Sequence, residues 1–480
     1  MRFSVILRYV GTVMLCLSAF MAVSAGISFV SNDAGFYPLL LSSLLTLLLG
    51  FFPMIFVPKA ENITNKEGFM IVVGSWLLSC VVGMFPYLIW GGEFSIVNAW
   101  FESVSGFTTT GASILKDIEA LPQGLLFWRT STNWIGGVGV VMFALLILPS
   151  LGTNKMALSG IELSSLARDN YRYRTQTIVK ILLSIYIGLT IISTLALKFA
   201  GMRWFDAVNH AMSACATGGF STKNASVGFY DSTIIEWILI VVMFLSSLHF
   251  GLIFATFTRK ANNMFRSEVV RTYAAIIAGA TLLIAASLYF TGIYTDVLES
   301  LQQSVFQVVS LISTSGFATA DTNSWTPFAI VILIILSIIC GCAGSTSGGA
   351  KVDRILLYFK VLVARLRGQQ HPNAVIRVRL DGMLQEERQV NAVTLFLTTY
   401  FVLILVGTLS SALFGMDLLT AFSSSVAFIG NVGPGFGDVG SLNNYAEIPS
   451  FLKVQGSILM LMGRLEIFGF IQFLFIRMWR

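Results

Sequence analysis

Asn98–Gly111 reads NAWFESVSGFTTTG, and three later stretches align with it without a gap: Asp206–Gly219 (DAVNHAMSACATGG), Gln303–Gly316 (QSVFQVVSLISTSG) and Thr420–Gly433 (TAFSSSVAFIGNVG). Each runs up to a glycine, with Thr109, Thr217, Thr314 and Asn431 two residues before it and Ser105, Ser213, Ser310 and Ala427 six before it. Each is flanked by apolar segments too hydrophobic for a soluble domain. One such segment reads as glycine and threonine at a membrane-helix contact. Four matched copies point instead to one element repeated around a common axis, and such a ring can hold an ion.

The rest of the chain agrees. Over 480 residues it is 55% hydrophobic and 11% charged, far from soluble composition and consistent with a polytopic membrane protein. The first apolar run, about residues 6–30, is long enough to span and is read as a helix rather than a cleaved leader. Ten spans of the length demanded by a ~30 Å hydrocarbon core are expected at about 5–30, 37–57, 68–90, 124–148, 177–200, 233–257, 271–293, 326–365, 391–415 and 451–477. The five cysteines (Cys16, Cys80, Cys215, Cys340, Cys342) have no metal-ligand spacing, and the three histidines form no cluster with cysteines or carboxylates. The net charge of +6 resides between spans, which fits topology rather than nucleic-acid binding.

The four stretches lie between spans three and four, five and six, seven and eight, nine and ten. The expected fold is therefore all-α: an N-terminal helix pair (1–60), then four span–pore-helix–span repeats (61–155, 156–262, 263–372 and 373–480) with pseudo-fourfold symmetry around one pore. With a cytoplasmic N-terminus, most lysines and arginines fall inside, Lys59, Arg168, Arg259, Arg367, Arg377 and Arg477 among them. The four elements then enter from outside. Two spans per repeat keep successive repeats parallel, unlike the inverted repeats of many transporters.

Lipid cannot hydrogen-bond bare backbone, so non-helical chain at membrane depth survives only when buried in protein or lining water. A dehydrating cation is one partner for its carbonyls. Glycine permits the backbone angles that direct successive carbonyls to one axis, and the C-terminal end of each short helix favours a cation.

These residues resemble the Trk/Ktr/HKT superfamily of cation transporters, in particular the TrkH-like membrane subunits of bacterial Trk potassium uptake systems, over nearly the whole chain. The resemblance rests on Thr109-Thr110-Gly111, Ala216-Thr217-Gly218-Gly219-Phe220, Thr314-Ser315-Gly316-Phe317 and Asn431-Val432-Gly433-Pro434-Gly435. It implies a K+ selectivity filter of Thr109, Thr110, Gly111, Thr217, Gly218, Gly219, Thr314, Ser315, Gly316, Asn431, Val432 and Gly433, holding the ion by backbone carbonyls. No covalent cofactor is expected. A serine at the first glycine goes with sodium transport in this family; all four positions here are glycine, which favours potassium. The filter is more degenerate than that of tetrameric potassium channels, implying weaker selectivity. Asp117, Asp321 and Asp438, just past three of the glycines, are candidates for concentrating cations at an outer mouth, or ordinary loop charges; the second repeat has Lys223 there.

Span eight is broken by Cys340-Gly341-Cys342-Ala343-Gly344-Ser345-Thr346-Ser347-Gly348-Gly349-Ala350-Lys351, too many small residues to sustain a helix. Gly344 and Gly349 have the spacing of a phosphate-binding loop, but Ala350 stands where its lysine belongs and Lys351 where its hydroxyl belongs. A flexible segment below the third filter element instead suggests a gate of Gly341, Gly344, Ser345, Thr346, Ser347, Gly348, Gly349 and Lys351. The resemblance implies an intramembrane loop obstructing the pore. The third repeat alone is expected to carry a broken span. Arg464, in Gly463-Arg464-Leu465-Glu466, is costly in a membrane and needs a partner, Glu466 or backbone; the resemblance places it by the loop and the pore axis, where it is expected to act as a positive barrier and a latch for residues 341–350. Arg129 is read as snorkelling to the outer interface, and His210 and His249 as hydrogen-bonded packing residues.

The resemblance further implies a bacterial inner-membrane homodimer with two separate pores and a cytosolic nucleotide-binding regulator of TrkA type, docked on the basic inner surface. Beyond K+ and lipids no nucleic-acid partner is expected. The alternative is a secondary transporter coupling K+ to H+ or Na+, which needs intramembrane carboxylates; Glu102 and Glu466 are the candidates. An enzyme needs a polar catalytic cluster at an interface, and none is apparent.

Overall fold

The computed structural model describes residues 2–58, 63–150, 175–258, 263–371, 373 and 377–474, without the side chains of residues 65, 140–150 and 175–179. Basic residues counted as inner, such as Lys59, Lys155, Arg168, Arg259 and Arg477, lie outside the described residues, as do the repeat boundary at 155/156 and parts of those near 60, 262 and 372.

Helices α1 (Phe3–Ser31) and α2 (Phe36–Phe56) form the N-terminal hairpin. They approach closely because Gly11 and Gly50 face one another: a Cβ on either would sit 2.8–2.9 Å from the other's carbonyl oxygen. The hydroxyls of Ser18 and Ser43 each donate to the other's carbonyl at 2.9 Å.

Repeat one follows as α3 (Asn65–Gly83) with its extension α4 (Phe85–Trp90), α5 (Ile96–Phe107) and α6 (Gln123–Ser150). Repeat two comprises α7 (Thr175–Phe199), α8 (Trp204–Cys215), α9 (Thr233–Ser246) and α10 (Phe250–Phe257). Repeat three comprises α11 (Glu268–Phe290), α12 (Val297–Ile312), α13 (Pro327–Ile339) and α14 (Val352–Gln370). A two-stranded hairpin, β1 (Arg379–Leu380) and β2 (Met383–Leu384), turns at Asp381-Gly382, both at positive φ. Repeat four comprises α15 (Glu387–Leu413), α16 (Leu418–Gly430), α17 (Ser450–Arg464) and α18 (Ile467–Leu474). Among the described residues six helices are long and apolar enough to cross a membrane, and the bent pairs α9–α10 and α17–α18 bring this to eight. The 28-residue α6, about 42 Å long at 1.5 Å per residue, and the interrupted α13–α14 occupy the two remaining expected positions.

The short helices α5, α8, α12 and α16 close the ring. Each packs against the last span of the preceding repeat: α5 on α17, α8 on α6, α12 on α9 and α16 on α13. The sequence starts three of them with a capping side chain: Ser95 accepts from Asn98 N, Asp296 from Leu298 N and Asp417 from Thr420 N.

One expectation is corrected. The third repeat is not alone in having a broken span: α9 and α10 meet at 101°, and α17 and α18 at 114°. The breaks are tied to one another. Backbone acceptors left at the end of α9 are taken up by the segment Cys340–Lys351, with Cys342 N donating to Ser247 O (2.9 Å) and the Thr346 hydroxyl to Ser246 O (3.2 Å). In return Phe250 N, at the start of α10, donates to Gly344 O. A helix interrupted in the membrane must find partners elsewhere for the freed groups, and here the α9–α10 break and the segment between α13 and α14 supply them to each other.

Candidate ion pathway

The four glycine-terminated stretches share one backbone conformation. Thr109, Thr217, Thr314 and Asn431 take left-handed φ values of +53, +53, +62 and +54°, and Gly111, Gly219, Gly316 and Gly433 follow at +81, +77, +69 and +98°. Three non-glycine residues with branched side chains in that region are strained, at about 1–2 kcal/mol each, and such strain persists only where surrounding structure imposes it. The imposition is visible. Thr110, Gly218, Ser315 and Val432 donate their amides to Ser105, Ser213, Ser310 and Ala427 at 2.9, 2.9, 2.9 and 3.0 Å, closing the end of each short helix identically. The recurrent residue six before each glycine is thus the acceptor of this closure.

The segments touch in cyclic order. A Cβ added to Gly111 would lie 2.1 Å from Gly218 O; on Gly219, 2.1 Å from Ser315 O; on Gly316, 2.3 Å from Val432 O; on Gly433, 2.5 Å from Thr110 O. Each glycine is therefore required twice, for its φ and for the neighbouring carbonyl against its Cα. Asn431 Nδ2 adds a 3.0 Å bond to Thr110 Oγ1 between segments four and one. All twelve expected filter residues come together in this ring.

Outside the ring a cavity of about 120 Å³ is bordered by the four glycines together with Lys116 and Lys223. Asp117, Asp321 and Asp438 do not line it. Asp117 accepts from Asn224 Nδ2, which holds its carboxyl below the usual range, and Asp321 accepts from Asn323 N in a turn. Lys116 and Lys223 are paired with Glu447 and Glu119. Asp117 and Asp321 are thus turn and loop charges.

On the other side of the ring lies the segment Cys340–Lys351, coiled and buried except at the half-buried Gly344. It touches the strained residues themselves: the Thr217 hydroxyl donates to Thr346 Oγ1 (3.4 Å), Gly348 N donates to Thr314 Oγ1 (3.2 Å), and a Cβ on Gly348 would meet Asn431. Gly344 packs on the ring of His249, Gly349 on Cys340 Sγ and Gly341 on Ser347. Ser345 and Ser347 share a 2.7 Å hydroxyl contact. Arg464, 5% exposed, donates to Thr346 O at 2.6 Å and to Gly136 O at 3.2 Å, tying the segment to α6. Glu466 does not pair with Arg464; it accepts from Lys351 (2.8 Å) and Arg354 (2.7 Å). The nine residues expected to form a gate therefore make one cluster beneath the ring.

The histidines behave as packing residues: His210 bridges Asp206 O (2.8 Å) and Ser221 Oγ (2.9 Å), and His249 caps α10 through Gly251 N. Arg129 does not snorkel. It is 2% exposed, paired with Glu102 at 2.6 Å, bonded to Ser221 O and stacked 3.7 Å above the Phe220 ring. Tyr445, which sequence reasoning missed, donates its hydroxyl to Gly433 O at 2.7 Å; nothing in its local sequence marks it. Among the described residues no group of histidines, cysteines and carboxylates is arranged to hold a metal ion. The chemistry on offer is backbone carbonyls in a ring.

The family model TrkH, described as a cation transport protein, matches residues 52–478. The Trk system potassium uptake protein TrkH of Salmonella typhimurium is 35% identical over 486 residues, covering 100% of both chains. TrkG of Escherichia coli, also named a Trk system potassium uptake protein, is 32% identical over 85% of this chain and 84% of its own. The crystal structure of the potassium transporter TrkH from Vibrio parahaemolyticus superposes with a TM-score of 0.90 at 33% identity, covering 100% of each chain.

Proposed function

Because this chain belongs to the TrkH family of cation transport proteins, we propose that it takes up K+ across a bacterial cytoplasmic membrane through one channel-like pore per chain. The observation that carries this reading is the cyclic contact of four identically folded glycine segments, each carbonyl against the next glycine. Carbonyls so placed replace part of an ion's hydration shell. The ion moves inward down the membrane potential, worth about 2.3 kcal/mol per charge per 100 mV. The segment 341–351 beneath the ring is the gate, with Arg464 as its positive barrier and latch. The chain acts as a homodimer with separate pores, its N-terminus cytoplasmic, under a cytosolic nucleotide-binding regulator of TrkA type that meets the basic inner face.

Coupling to H+ or Na+ needs a free carboxylate in the pathway. Glu102 and Glu466 are both engaged in ion pairs, which favours uncoupled passage. The test is flux of K+, Na+ and Rb+ into liposomes holding purified wild type or Gly111→Ser. Preferential K+ and Rb+ flux, weakened in the variant, is expected; equal flux of all three ions in both proteins refutes the filter assignment.

A further inference from the structure

The fifth residue of each glycine-terminated stretch is Glu102, His210, Gln307 or Ser424, and the residue two past each glycine is Ser113, Ser221, Ala318 or Gly435. In repeats one and two these positions are joined. The Glu102 carboxylate accepts from Ser113 Oγ (3.0 Å) and Ile114 N (3.0 Å), and His210 Nε2 lies 2.9 Å from Ser221 Oγ. Repeats three and four lack the link: Gln307 Nε2 is buried with no partner, and Ser424 bonds within its own helix to Ala421 O.

Arg129 connects the two braced segments. Its Nε donates to Glu102 at 2.6 Å and its Nη1 to Ser221 O at 3.1 Å, and its guanidinium covers the ring of Phe220, the residue that follows Gly219. The result is one continuous buried path from Ile114 N through Glu102, Arg129 and Ser221 to His210, lying against filter segments one and two. Glu102 is 0% and Arg129 2% exposed. Ion pairs so fully desolvated are poor sources of net stability but hold geometry tightly, and a guanidinium fork meets two acceptors at fixed angles where an ammonium cannot.

We propose that Arg129 is a positioning residue for ion selectivity: its ion pair with Glu102 and its bond to Ser221 O hold filter segments one and two in register. The inference rests on the filter reading above. The register matters because Gly111 packs against Gly218 O, and these residues precede the braced Ser113 and Ser221 by two and three positions. Segments three and four have no charged counterpart at these positions, so discrimination depends most on the braced half of the ring.

The experiment uses the full-length protein in liposomes, with concentration-dependent K+ and Na+ uptake measured for wild type, Arg129→Lys, Arg129→Gln, Glu102→Gln and the Arg129→Gln/Glu102→Gln double variant. Uptake is scaled to monodisperse protein. Each glutamine variant is expected to lose about tenfold in K+ over Na+ preference, the equivalent of one charge-assisted hydrogen bond. Half-saturation for K+ rises more than maximal flux falls. Arg129→Lys keeps the charge but not the fork and regains part of the preference. The double variant leaves no unpaired buried charge, so it remains informative if either single variant fails to fold. Wild-type preference and half-saturation in folded variants overturn the inference while a K+-selective wild type leaves the filter reading standing. A wild type without preference overturns both.

Discussion

Arg464 Nη1 donates to the carbonyl oxygen of Thr346 at 2.6 Å, while the Thr346 hydroxyl reaches back to Cys215 O at 3.1 Å and Ser246 O at 3.2 Å. The end of α17 thereby grips the segment Cys340–Lys351 at the residue that touches Thr217, in the second glycine-terminated stretch. Removing the arginine removes a charge and a charge-assisted bond together. Arg464→Ala is expected to raise basal cation flux by about tenfold, on the scale of roughly 1.5–3 kcal/mol for such a bond. Tracer flux into liposomes without any regulator measures it; unchanged or reduced flux in well-folded protein removes Arg464 from the gate.

Below that grip, Glu466 sits at φ +54° in the 114° bend between α17 and α18 and holds Lys351 and Arg354. The carboxylate is 21% exposed, but Lys351 and Arg354 are only 6% and 4% exposed, so its loss takes the shared counter-charge from two buried cations, at a cost above that of a surface pair. Glu466→Gln is expected to raise flux a few-fold without altering the K+ to Na+ ratio. A changed ratio with unchanged flux places Glu466 with the filter instead.

Gly344, at φ +76°, offers its Cα to the His249 ring, where a Cβ would lie 2.3 Å from Cδ2. Gly344→Ala unseats the segment from the α9–α10 bend and is expected to raise basal flux. Adding His249→Ala frees the space and restores low flux in part. Additive effects of the two changes contradict the contact as the cause.

In the ring of four glycines, Gly219→Ala places a methyl group 2.1 Å from Ser315 O at φ +77°. The backbone angle alone costs about 1–2 kcal/mol, before the collision. K+ uptake is expected to fall by more than about tenfold, with the folded fraction, read by size-exclusion chromatography, falling less. Normal uptake by this variant removes Gly219 from the ring.

Tyr445 Oη on Gly433 O is a single hydrogen bond to the fourth glycine of the ring from a side chain 2% exposed. Tyr445→Phe deletes that bond alone, worth about 1 kcal/mol. A shift of a few-fold in half-saturation for K+ is expected, with the folded fraction unchanged. An identical half-saturation shows that Gly433 is held by its backbone neighbours without the tyrosine.

Much of the pathway was legible because its requirements are local. Thr109, Thr217, Thr314 and Asn431 stand at a fixed distance from their glycines because a helix end needs that spacing to turn its backbone, and such spacing is written along the chain. The coil Cys340–Lys351 was legible for the same reason: Gly341, Gly344, Gly348 and Gly349 within nine residues cannot be membrane helix. The bends at Ser247–His249 and at Glu466 were not legible. Both flank apolar helices with no glycine run, and their partners lie in another repeat: the Ser246 and Ser247 carbonyls take donors from the segment Cys340–Lys351, and the Glu466 carboxylate takes Lys351 and Arg354.

Arg129 shows the same limit at one residue. Read alone at a span's end it belongs at an interface, since an unpaired guanidinium is costly in lipid. Its partners are Glu102, 27 positions earlier, and Ser221, 92 later, and only the cyclic packing of α5, α6 and α8 brings them together. The all-helical class and the four matched glycines could be read from the chain, because hydropathy, length and backbone conformation are properties of contiguous residues. The tertiary structure alone decided how the four segments close on one another, which charges are buried in pairs and what lies beneath the ring. Those depend on distances between residues that the chain keeps far apart.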